Sequence, residues 1–207
     1  MKRLTEIGSK HETDKATGHM FTEFYDDYVS KYINPNILEI GVYNGASLKM
    51  WEEYFGSPLV VGMDIEDKKQ YENNNIKILV GDQGNPTDLL KCLDICKEYQ
   101  IIVDDGSHII GHQISTLATL FPYLASGGVY FLEDLHTSFI GDQYNPNKDS
   151  TTAYDFLHGL CDGRNIETPY ATTEQIQYIR ENMCEVKVFQ LHESSLLHSI
   201  TSAIVKK

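Results

Sequence analysis

A chain of 207 residues, 41% hydrophobic and 23% charged, can bury one full core and has an ordinary globular composition. Its formal net charge of −13 comes with no basic cluster to neutralise phosphates. That argues against nucleic acid and membrane surfaces as partners, while a small anionic ligand, needing only one local site, stays open.

Asp14, Lys15 and His19 precede a stretch in which Phe21, Phe24, Tyr25 and Tyr28 form an aromatic stripe at helical spacing. Core packing is the default for that stripe, and the three polar residues are placed to border a site. Residues 36–135 then alternate strands with helices, the pattern of a parallel sheet covered on both faces. Strands are expected at 36–40, 59–64, 76–80, 101–104 and 129–132, all nearly continuous apolar runs. A helix over 46–55 carries Leu48, Trp51 and Phe55 on one face, and Asn85-Pro86 starts another. Residues 136–152 read as a long polar loop, with helices near 153–161 and 172–183. The chain closes in a hairpin, 185–190 with 196–205, whose His192 and His198 read as surface residues.

The expected fold is one α/β domain with a doubly wound, mostly parallel, Rossmann-like sheet. It ends in an antiparallel hairpin and carries a helical cap over 1–35, a core over 36–135, a lid over 136–183 and the hairpin over 184–207. Cys92, Cys96, Cys161 and Cys184 lack zinc-ribbon or C-x-x-C spacing and are expected to stay reduced. With no apolar signal run and no stretch long enough to span a bilayer, a cytoplasmic location is expected.

In an open α/β sheet, ligands sit beyond the carboxyl ends of the strands. The first turn here reads Glu39-x-Gly41-x-Tyr43-x-Gly45, not the G-x-G-x-x-G of a dinucleotide site. Its glycines allow close backbone approach, and its carboxylate suits a ligand presenting an ammonium group. S-adenosylmethionine carries such a group beside its sulfonium. Asp64 ends the second strand, 19 residues after Gly45, where a carboxylate can accept both ribose hydroxyls. Asp82 and Gln83 follow the third strand, suited to an adenine edge, and Asp104 ends the fourth.

Adjacent fourth and fifth strands, about 4.8 Å apart, would bring Asp105 together with Glu133 and Asp134. Three carboxylates in one crevice repel, and an all-oxygen set that recruits a cation favours Mg²⁺ over zinc.

Further motifs are Val103-Asp-Asp-Gly-Ser-His108, His112, Leu120-Phe-Pro-Tyr-Leu124, Gly127-Gly128, Leu132-Glu-Asp-Leu-His-Thr-Ser138, and Thr13-Asp-Lys15 with His19. Together they resemble the metal-dependent macrolide-sugar and rhamnosyl O-methyltransferases of antibiotic biosynthesis, within the class I methyltransferases. The resemblance covers most of the chain. That family has a long region before its catalytic domain which this sequence lacks, so substrate recognition by that region is not carried over.

The resemblance implies S-adenosylmethionine and Mg²⁺ as cofactors, Asp105, Glu133 and Asp134 as metal ligands, and His108 as the base. A histidine near neutral pKa can take the proton of a sugar hydroxyl as the methyl group arrives. His112, one helical turn on, suits support of His108 or a structural role, and His136 could touch substrate. The expected partner is a small sugar-containing acceptor: a nucleotide-linked sugar, a capsule or lipopolysaccharide precursor, or a glycosylated natural product. A homo-oligomer is compatible with the sequence.

Two other readings compete. A catechol-type methyltransferase also uses Mg²⁺ but usually a lysine base, where Asp105-x-x-His108 offers histidine. A non-catalytic S-adenosylmethionine-binding module would need neither base nor metal set.

Overall fold

The computed structural model describes residues 3–190 and 199–207. Five apolar runs become parallel strands: β1 (Asn36–Ile40), β2 (Leu59–Asp64), β3 (Ile76–Val80), β4 (Tyr99–Asp104) and β5 (Leu124–Leu132). The last two start earlier than the apolar pattern suggests. β6 (Met183–Gln190) and β7 (Ile200–Lys206) complete a seven-stranded sheet of order β3-β2-β1-β4-β5-β7-β6. β7 runs antiparallel to both β5 and β6. The hairpin pairing expected from sequence is present, while His192 and His198 fall outside the described residues.

Helices α1 (Arg3–Lys10), α2 (Asp14–Thr17) and α3 (Phe21–Val29) precede the sheet, and α4 (Ala46–Phe55) follows β1. α5 (Pro86–Leu89) is a single turn capped by Asn85, whose side chain accepts from the Thr87 N–H, and it tightens into a 3-10 turn over 90–94. α6 (Ile110–Leu120) links β4 to β5. The polar stretch after β5 is not structureless, holding a 3-10 turn over 135–139 and α7 (Gly141–Tyr144). α8 (Ala153–Asp162) and α9 (Thr173–Asn182) each start at a threonine capping box, Thr152 with Asp155 and Thr172 with Gln175.

Side chains alternate along a strand, so each strand feeds two cores. Ile37, Val60, Ile101, Val103, Val129 and Phe131 face one side, packed with Phe21, Phe24, Tyr25 and Trp51. Leu38, Val61, Ile102, Tyr130 and Leu132 face the other, packed with Ile114, Leu117, Phe156 and Leu160. The aromatic stripe of α3 is core, and Tyr25 stacks on Phe131 with ring centroids 3.9 Å apart. This alternation also sets the direction of every polar residue at the strand ends. Among the described residues, no helix is long and apolar enough to cross a membrane.

Candidate active site

A cavity of about 990 Å³ lies beyond the carboxyl ends of β1 to β5, walled on one side by Thr13, Asp14 and Lys15. Gly41, Tyr43, Asp64, Asp82, Gln83, Asp105, His108, His112 and Asp134 line it. Glu39, Gly45, Asp104, Glu133, His19 and His136 do not. The strand register explains the split.

Glu39 shares its face of β1 with Ile37, so it points toward α4 and away from the cavity. It is fully buried, accepting from Ser47 Oγ at 2.6 Å and Trp51 Nε1 at 2.8 Å. Lys15 Nζ lies 3.4 Å from its Oε1. The ammonium that Glu39 meets is the chain's own. Burial pushes its carboxyl above the ordinary range, against the pull of Lys15, Ser47 and Trp51. Ser47→Ala should therefore cost about 1–3 kcal/mol in urea unfolding, since a buried carboxylate loses one donor. A change below about 0.5 kcal/mol, the scale of an ordinary surface substitution, would show that bond to be worth little.

Gly41 has φ 93°, and a Cβ there would drive into the carbonyl oxygen of Asp105. A side chain at Gly45, φ 72°, would strike the Tyr71 ring. Both glycines answer to packing between loops, and only Gly41 also borders the cavity. Asp64 fulfils its placement at the end of β2. Its Oδ2 accepts from the N–H groups of Val42 and Tyr43 at 2.9 and 3.1 Å, and its Oδ1 from Glu66 at 2.9 Å. Burial alone would raise this carboxyl, but the three N–H donors outweigh it and hold it below the ordinary value. Tyr43, at φ 48° and 79% exposed, stands at the rim.

Asp104 falls on the α6 face with Ile102 and is 1% exposed. It accepts from Gln83 Nε2 at 2.6 Å and Tyr130 OH at 3.2 Å, and burial pushes its carboxyl up to about 7. The Gln83 amide is occupied on both sides, donating also to Thr116 and accepting from the Ser107 N–H at 2.7 Å. Asp104 and Gln83 thus brace the loop after β4. Asp82 is exposed at the cavity edge, accepting from the Gly84 N–H at 2.8 Å.

Asp105, His108 and Asp134 each offer one ligand atom, all within 4.8 Å of one another. His108 Nε2 is 3.4 Å from Asp134 Oδ2. Asp134 Oδ1 is buried with no hydrogen bond, and burial followed by Asp105 raises its carboxyl to about 7. Both His108 (φ 57°) and Asp134 (φ 52°) hold the left-handed conformation, a backbone cost that tends to mark functional sites. Burial pulls the His108 imidazole below its ordinary pKa, against Asp105, so the ring is neutral at pH 7. His112 Nδ1 lies 2.8 Å from Ser107 Oγ, so the second histidine braces the loop and makes no bond to His108.

Glu133 shares its face with Phe131 and is turned beneath the cavity, 1% exposed. Its Oε1 is 3.0 Å from Lys15 Nζ. Lys15, itself 1% exposed, also donates to Asp105 Oδ2. Burial would depress the ammonium, but Asp105, Glu133 and Glu39 outweigh it and hold it charged. Lys15, expected at the mouth, is therefore the counterion of the acidic floor. His19 Nδ1 sits 3.2 Å from Ser199 Oγ, and buried His136 is 3.7 Å from Asp134. Ser47, Trp51 and Ser107 carried no polar signal in the sequence. The apolar stripe of α4 hid Trp51 Nε1, and only the burial of Glu39 called for a donor.

No protein-family model matches the chain. Demethylmacrocin O-methyltransferase of Streptomyces fradiae is 36% identical over 172 residues, covering 77% of this chain and 44% of that protein. Mycinamicin VI 2''-O-methyltransferase of Micromonospora griseorubida is 32% identical over 200 residues, covering 90% of this chain and 50% of that protein. The MycE methyltransferase of the mycinamycin pathway, solved with Mg, SAH and mycinamycin VI, superposes with a TM-score of 0.79 at 28% identity. That match covers 99% of this chain and 53% of the other. The chain is a class I methyltransferase by fold and a homologue of the antibiotic-sugar O-methyltransferases. It spans about half the length of the curated relatives it matches.

In this methyltransferase fold the donor set fits a hard divalent ion. The carboxylates of Asp105 and Asp134 converge, and Asp134 Oδ1 is buried without a hydrogen bond, while the His108 imidazole beside them is left for proton transfer.

Proposed function

We propose that this chain carries an S-adenosylmethionine- and Mg²⁺-dependent O-methyltransferase acting on a sugar hydroxyl of a small acceptor, in the cytoplasm. One observation carries the reading: a single cavity joins Asp64, at the end of β2, to Asp105, His108 and Asp134, beyond β4 and β5. The similarity to macrolide-sugar methyltransferases supports it. A nucleotide-linked sugar, an envelope-polysaccharide precursor and a glycosylated natural product all present the required hydroxyl.

Asp64 holds the ribose hydroxyls, and the Gly41 turn lets the cofactor approach the backbone. Asp82 and Tyr43 border the cavity edge where an adenine would lie. Asp105 and Asp134 would hold the divalent ion, with Glu133 behind them on the Lys15 ammonium. The bound ion supplies positive charge that makes the acceptor hydroxyl more acidic. His108, neutral at pH 7, accepts the hydroxyl proton while the acceptor oxygen bonds to the methyl carbon. The carbon–sulfur bond breaks, its electron pair stays on sulfur, and S-adenosylhomocysteine leaves.

Sugar nucleotides and glycosylated natural products incubated with S-adenosylmethionine and Mg²⁺ should give a product heavier by one methyl group. Asp64→Ala should weaken S-adenosylhomocysteine binding by about 1–3 kcal/mol in calorimetry, through lost charge-assisted hydrogen bonds. Tight NAD binding with no heat from S-adenosylhomocysteine would refute the cofactor reading.

A further inference from the structure

Lys15 is the most deeply placed cation described in the chain, and it comes from outside the sheet. α2 is only four residues long, yet it sends this side chain beneath the cavity to carboxylates at the ends of three strands. Glu39 of β1 lies 3.4 Å from Nζ, Glu133 after β5 lies 3.0 Å away, and Asp105 after β4 accepts directly. A lysine loses rotamer freedom and hydration on such burial, and only close, multiple carboxylate contacts offset that. The contact with Asp105 gives the arrangement a chemical meaning. Asp105 also belongs to the trio that converges with His108 and Asp134. One carboxylate therefore meets the fixed ammonium and would also serve a divalent ion held with Asp134.

We propose that Lys15 is a positioning residue of the methyl-transfer site, an internal cation that fixes Asp105 and Glu133 and limits how tightly the acids hold a divalent ion. The proposal rests on the metal-dependent reading above and goes beyond it. Lys15 acts through Asp105, whose carboxylate accepts from its ammonium. Its positive charge shares the negative charge of that carboxylate, so the divalent ion is held in place yet remains exchangeable. Without it, the same acids would grip the ion harder and in a looser geometry. The N-terminal segment is thereby part of the reaction centre, since α2 cannot leave without exposing three acids to one another.

The test compares the whole chain with Lys15→Met and Lys15→Arg. Mn²⁺ binding is read by electron paramagnetic resonance, and S-adenosylhomocysteine binding by calorimetry. Lys15→Met should bind Mn²⁺ about tenfold more tightly, because a like charge next to a ligand carboxylate is gone. Its S-adenosylhomocysteine affinity should stay within about twofold, as Asp64 is untouched, while turnover at saturating metal falls. Lys15→Arg should keep the parent Mn²⁺ affinity. Simple misfolding would weaken both ligands together, so tighter metal with slower turnover is its opposite. Unchanged or weaker Mn²⁺ binding by a Lys15→Met protein that still binds S-adenosylhomocysteine overturns the proposal.

If Lys15→Met does not fold, the parent protein decides. Its Lys15 ammonium resonance should be protected from solvent exchange and should shift as Mg²⁺ is added. A resonance indifferent to Mg²⁺ overturns the proposal as well. Absence of any S-adenosylhomocysteine binding would instead sink the methyltransferase reading, and the Mn²⁺ isotherms would still report on Lys15.

Discussion

Replacing His108 with alanine should lower turnover by about 10²–10⁴-fold and leave S-adenosylhomocysteine affinity nearly unchanged, the signature of a lost general base. The geometry separates the two effects, because His108 faces Asp134 at 3.4 Å while Asp64 takes its bonds from the β1 and β2 turns. The pH profile adds a second readout. Only the neutral imidazole can accept a proton, and burial lowers its folded pKa below the ordinary 6.5. Activity should therefore persist as pH falls through 6.5 and be lost only below it, with that acid limb absent from His108→Ala. A mild effect of His108→Ala beside a severe one of His112→Ala would transfer the role to the histidine now bonded to Ser107.

Removing the divalent ion should have the other large effect. Excess chelator should abolish methyl transfer and spare S-adenosylhomocysteine binding, because the acids that converge on the ion follow β4 and β5 and Asp64 ends β2. Asp105→Asn should mimic chelation, with activity partly restored at high Mg²⁺ through Asp134. The reason is the buried Asp134 Oδ1, which has no hydrogen bond in the protein and suits a hard cation. Full turnover in chelator, with elemental analysis finding no metal, would leave Asp105 and Asp134 as structural acids and His108 alone in the chemistry.

The fold was legible because buried parallel strands are continuous apolar runs, and Asn36–Ile40, Leu59–Asp64 and Ile76–Val80 begin and end where their apolar character does. β5 was read too short, since Ala125 to Gly128 lack the bulky residues that mark a strand. The strand ends pointed to the residues around the cavity but not to the direction of each side chain. Glu39, Asp104 and Glu133 turn inward with Ile37, Ile102 and Phe131, whereas Asp64, Asp105 and Asp134 reach the cavity. The alternation that fixes those directions was available in principle. What a linear pattern could not supply was the third dimension: a lysine 90 residues before Asp105 reaching its carboxylate.

The position of β7 bears on how the protein is made. The last strand in sequence lies inside the sheet, pairing Val129 to Leu132 of β5 with Val205 to Ser202. Thr201 donates to the Leu132 carbonyl and bonds the Tyr25 hydroxyl, joining the first and last parts of the chain across the strand that leads into Glu133 and Asp134. During synthesis the outer edge of β5 stays unpaired until residue 200 and its followers have emerged. Until then β5 carries an apolar open edge, and the sheet closes only through pairing between residues as far apart as Leu132 and Thr201, 69 positions along the chain.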